Sequence, residues 1–89
     1  MRPDELRASI PALEDATYLN TGAHGPSPRA VVERAERFLE HHEYESATGD
    51  GAYTTAFDAY EEVREDVAAF LGADTDEVAL TQSTTDGIN

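Results

Sequence analysis

The stretch Glu77–Asn89, EVALTQSTTDGIN, constrains the fold of this chain more than any other. An apolar run, Val78-Ala79-Leu80, gives way to hydroxyls at Thr81, Ser83, Thr84 and Thr85 and then to Asp86 and Gly87. That order predicts a buried strand handing over to a helix. Ser83 and Asp86 stand at capping-box spacing, which sets the helix start at about Thr84 or Thr85. The first N–H groups of a helix have no partner in their own helix and lie at the positive end of its dipole. Such a turn suits an anion, most often a phosphate, and two threonine hydroxyls would add donors. An ordinary N-cap, with threonines serving solubility, accounts for the same spacing.

Isolated helices shorter than roughly 12 residues are marginal even with favourable sequences. A helix beginning near Thr84 has only the residues to Asn89 available, so the 89 residues are expected to be the front piece of something longer. The core is expected to be thin, with 39% hydrophobic residues, a single Met and neither Cys nor Trp. A chain this short buries only about 60–70% of its unfolded surface, so independent stability is not expected.

Charge narrows the partners. Nineteen acidic residues face six basic ones, all arginine, for a net charge of −13. Without a basic patch, neither nucleic acid nor an anionic membrane is an expected partner. Within the expected helix at 53–71, Asp58 and Glu62, Glu61 and Glu65, and Glu62 and Asp66 place like charges at i,i+4, each pair mildly destabilising. In molar salt the Debye length falls to about 3 Å and that repulsion is screened, which fits a very salty cytoplasm. A generic acidic domain, or a segment balanced by a basic remainder, fits the same composition. No secretory apolar segment, no transmembrane-length run and no cysteine framework is present, so a cytoplasmic location is the default expectation.

In chain order, Pro3 with Asp4 and Glu5 predicts a short helix that Pro11 ends at about Ser9 or Ile10. Thr17-Tyr18-Leu19-Asn20 reads as extended. Thr21-Gly22-Ala23-His24-Gly25-Pro26-Ser27-Pro28 then breaks into a tight loop whose glycines let backbone approach a ligand. His24 in its middle is a candidate site residue, although an exposed or capping imidazole in a plain turn serves equally. Pro28 reads as the first residue of a helix reaching about Glu43, with Val31, Val32, Ala35, Phe38, Leu39 and His42 on one side. Glu33 and Arg37 are spaced for an i,i+4 pair. His41 and His42 point about 100° apart on a helix and cannot easily share an ion, so no metal site is expected. Ser46–Gly51 reads as a loop, and Thr54 or Thr55 as the cap of a helix whose stripe is Phe57, Tyr60, Val63, Val67, Phe70 and Leu71. Gly72 should end that helix in the left-handed conformation. Three segments result: 1–28, a helix and small-residue loop; 29–72, a helix pair; and 77–89, a strand and the start of an anion-binding helix. Two strands this short form no stable sheet of their own, so their partners are expected elsewhere.

Tyr18-Leu19-Asn20-Thr21-Gly22-Ala23 with Pro26 and Pro28, then a helix pair, then the run from Val78 through Thr84-Thr85-Asp86-Gly87-Ile88-Asn89, resembles the N-terminal part of class V aminotransferase-type enzymes. These are fold type I pyridoxal-phosphate (PLP) proteins, among them cysteine desulfurases, selenocysteine lyases and isopenicillin-N-epimerase-like members. The resemblance implies an α/β fold of which this is the mostly helical N-terminal segment, ending at a strand-to-helix phosphate-binding turn. It assigns Thr84 and Thr85 to the PLP phosphate, through hydroxyl and backbone N–H. It places Gly22, Ala23 and His24 in the small-residue loop near the substrate carboxylate. Ser83 stands where the family often has Gly, and Asn20, Gly22 and His24 depart from the Tyr-Leu-Asp and paired alanines common in desulfurases.

The resemblance further implies an amino-acid substrate, a homodimer and a cofactor-bearing lysine. No lysine occurs in the 89 residues, so the catalytic groups would all lie beyond this segment, which could not be active alone. Two other functions fit the residues: a non-catalytic acidic helical module for a basic partner, and a binder of some other phosphorylated ligand at the same helix mouth.

Overall fold

The computed structural model describes all residues from Met1 to Asn89 and divides into two units, Met1–His41 and His42–Asn89. Helices and turns make up all of its regular structure. The expected strands at 17–20 and 78–80 do not form. Both runs lack helix, but neither pairs with another segment. A strand is defined by its ladder, and these short runs find no neighbour to bond.

In the first unit, α1 spans Pro3–Ala8, with Pro3 at its first position and Asp4 and Glu5 in its first turn. A 3₁₀ turn over Pro11–Leu13 follows. Arg7 stitches the return of the chain by donating from Nη2 to the carbonyls of Leu13 at 3.0 Å and Ala16 at 2.8 Å. Helix α2 spans Arg29–Glu40, with Pro28 extended just before it at φ −60°, ψ 150°, one residue later than the sequence suggested. The Arg29 amide donates to the Ser9 carbonyl at 2.9 Å, so the start of α2 is held against the end of α1. No Glu33–Arg37 ion pair forms. An exposed pair gains little against the entropy of fixing two long side chains.

Beyond Glu40 the helical path widens into one π turn, His41–Glu45, rather than continuing as α-helix to Glu43. In the second unit, Ser46 is buried and donates its hydroxyl to the His42 carbonyl, while the Gly51 amide closes onto the Ser46 carbonyl at 2.7 Å. Helix α3 spans Ala52–Leu71. Its N-cap is Gly51 at φ 92°, and Thr54 and Thr55 lie inside the first turn without capping it. A positive φ is cheap only for glycine, and that turn brings the chain into the helix before either threonine. At the other end Gly72 is left-handed at φ 70°. The Ala73 amide reaches Ala68 and the Gly72 amide reaches Ala69, the two bonds of a Schellman motif.

The expected thin core is what the chain has. Ala68 is the one buried apolar residue, while Phe57, Tyr60 and Val63 of α3 and Val31, Val32 and Leu39 of α2 stay exposed. The amphipathic stripes read from the sequence exist, but most of their large side chains stay exposed, with Phe38 and Val67 half-buried.

Candidate functional site

The second unit ends in the segment that carries the threonine pair. After α3, a 3₁₀ turn over Thr75–Glu77 is closed by the Glu77 carboxylate accepting from the Asp74 amide at 2.8 Å. Val78 is extended at φ −112°, ψ 127°, and the chain stays irregular until Ser83. Ser83, at φ −162°, ψ 167°, then caps α4, Thr84–Ile88. The helix start therefore falls where the Ser83 and Asp86 spacing predicts it.

Two bonds fix this turn. The Ser83 hydroxyl accepts from the Asp86 amide at 3.1 Å, and Asp86 Oδ2 accepts from the Gln82 amide at 3.2 Å. The reciprocal bond of a capping box thus lands on Gln82, one residue before the cap. With its carboxylate turned to Gln82 and Ser83 engaged, Asp86 leaves the leading amides of the helix untouched. The amides of Thr84 and Thr85 donate to no acceptor of the chain, and neither do their hydroxyls. Both residues are exposed. Two adjacent residues at a helix start thus offer four donors to an anion. These four donors, amides and hydroxyls, are neutral groups.

Arg64 enters the site's framework from α3, a role that sequence reading did not assign. Its Nη1 donates to the Val78 carbonyl at 3.3 Å and its Nη2 to Glu61 Oε2 at 3.0 Å. The signal was present: Arg64 is the one basic residue of α3 and falls on its apolar side, four residues after Tyr60 and three before Val67.

The other candidates, Gly22, Ala23 and His24, lie together in the first unit. The Ala23 and His24 amides both donate to the Asn20 carbonyl, at 3.1 and 3.4 Å, and the Tyr18 hydroxyl donates to that same oxygen at 3.0 Å. The turn is tight, as the glycine content suggests. All three residues are exposed, the His24 ring has no partner, and a Cβ at Gly22 would meet nothing within 4 Å. No group of three or more His, Cys, Asp or Glu is arranged to hold a metal ion. No helix is long and apolar enough to cross a membrane.

Comparison with known proteins finds a family profile and curated relatives. The profile of the family described as aminotransferase class-V matches residues 17–89. A probable cysteine desulfurase of Methanothermobacter thermautotrophicus is 37% identical over 92 residues, covering 100% of this chain and 22% of its own length. The cysteine desulfurase CsdA of Escherichia coli is also 37% identical over 92 residues, covering 98% of this chain and 22% of its own. A probable cysteine desulfurase of Pyrococcus abyssi is 29% identical over 90 residues, with 98% and 22% covered. The chain thus spans about a fifth of the length of these curated relatives, and no solved structure matches it. With a profile match from Thr17 through the threonine pair to Asn89, the chain belongs to the class V aminotransferase family.

Proposed function

We propose that these residues are the opening part of a PLP-dependent enzyme acting on an amino acid, in which Thr84 and Thr85 hold the phosphate of the cofactor. The observation that carries the reading is the set of unengaged amides and hydroxyls at the start of α4, inside the block that matches the family. When bound, PLP supplies the electron sink that lets bonds at the substrate's α-carbon break. The residues of this chain contribute binding and orientation: Ser83 and Asp86 fix the turn, and Thr84 and Thr85 present donors to the ester oxygens. A cation to balance the phosphate, and the lysine that carries the cofactor, would come from residues outside the 89, which contain no lysine.

Among amino acids, cysteine is the substrate favoured by the names of the relatives, which are cysteine desulfurases. In this reading the exposed loop at Gly22, Ala23 and His24 contributes to recognising the substrate carboxylate, through the Gly22 amide and the His24 imidazole. The protein would act as a cytoplasmic homodimer, as the family implies, and its charge of −13 would be an adaptation to high salt. Titration of the full-length protein with PLP tests the proposal. A saturable absorbance band of bound cofactor, followed by alanine formation from cysteine, is expected. Absence of the band at saturating PLP would overturn it.

A further inference from the structure

Between Val78 and Gln82 the chain has no backbone hydrogen bond to a neighbouring segment. The Val78 amide turns back to Thr75 at 3.2 Å, and the next anchored backbone group is the Gln82 amide on Asp86. Among these residues Val78 is the last before Gln82 whose backbone is hydrogen-bonded. What holds its carbonyl is Arg64, reaching across from α3 at 3.3 Å with Glu61 bonded to the other end of the fork. The arginine is drawn in against the helix, its side chain only 31% exposed and its Nε–H buried without an acceptor.

We infer that Arg64 is a positioning residue for the phosphate turn: by fixing the Val78 carbonyl it aims the run that ends in Thr84 and Thr85. The inference rests on the proposed role of those threonines in holding PLP. Its physical basis is proximity: Val78 lies five residues before the cap Ser83, so a shift of its carbonyl displaces the start of the run that leads to the threonines. Oriented contacts are lost at displacements of about 1 Å. Lysine at position 64 can keep one bond to the Val78 carbonyl but lacks the planar fork that holds Glu61 at the same time.

The test measures dissociation constants of the full-length protein for PLP and for pyridoxal, its phosphate-free counterpart, together with melting temperature. Arg64→Met keeps an apolar stem and removes the donors. It is expected to raise the PLP constant about tenfold while leaving that for pyridoxal within about twofold, and Arg64→Lys should recover part of the loss. Thr85→Val should also weaken PLP selectively, and the double variant Arg64→Met/Thr85→Val should lose less than the product of the two single effects. Equal weakening of both ligands by Arg64→Met would make the residue a general stabiliser and overturn the inference. Selective weakening by Thr85→Val with none from Arg64→Met would overturn it while the phosphate reading stands. No effect of Thr85→Val would remove the phosphate reading and this inference with it. If Arg64→Met does not fold, Arg64→Gln is judged by the same PLP-to-pyridoxal ratio, a raised ratio supporting the inference and an unchanged one refuting it.

Discussion

Replacing Ser83 separates a cap that organises the threonine turn from one that merely ends a loop. Ser83→Ala removes the hydroxyl that accepts from the Asp86 amide at 3.1 Å and leaves that amide to water. Loss of a serine N-cap to alanine costs about 1 kcal/mol, whereas glycine in its place costs only a few tenths. Helix α4 spans only Thr84–Ile88 here and includes Gly87, so its start has little other local support. If the ordered turn is what grips the phosphate, the capping loss appears in the affinity. PLP should bind about fivefold more weakly to Ser83→Ala and less than twofold more weakly to Ser83→Gly. Fluorescence titration of the full-length protein with PLP reads both constants, and hydrogen exchange at the Asp86 amide reports whether the cap has opened. Equal affinities in the two variants, with the Asp86 amide exchanging faster than in the unsubstituted protein, would refute the link between cap and cofactor.

Gly72→Ala places a side chain at φ 70° and should destabilise the protein by about 1–2 kcal/mol, read as a lower melting temperature; an unchanged value would mean the helix end relaxes. Gly87→Ala should act in the opposite sense, by about 0.5–1 kcal/mol, because a Cβ there meets only Thr81 Oγ1 at an ordinary 3.5 Å and alanine favours the helix. The full-length protein should melt at higher temperature as salt rises towards molar concentrations, where the mutual repulsion of its acidic residues is screened. No loss of stability at low salt would contradict the proposed adaptation.

What could be read from the sequence followed from local chemistry. Ser83, Asp86 and the threonines between them form a device that works within a few residues, and the helix starts where their spacing puts it. Gly72 ends α3 for the same reason, since its conformation depends on having no side chain rather than on distant contacts. The misses arose where a neighbour decides the outcome. Val78-Ala79-Leu80 has strand-forming character, but with no adjacent strand it remains an extended run tied down by Arg64. Thr54 and Thr55 are good caps displaced by Gly51, whose positive φ starts α3 at Ala52. In sequence, Arg64 is one charge among many on an acidic helix. Its position on the apolar side was the available clue, but the carbonyl it serves lies fourteen residues on and is found only by folding the chain.

The most direct test of the account is a crystal structure of the full-length protein with PLP bound. The account predicts ester oxygens about 2.7–3.2 Å from the amides and hydroxyls of Thr84 and Thr85, with Ser83 still capping α4. A phosphate held entirely by other residues, with both threonines turned away from it, would contradict the assignment on which the functional reading stands.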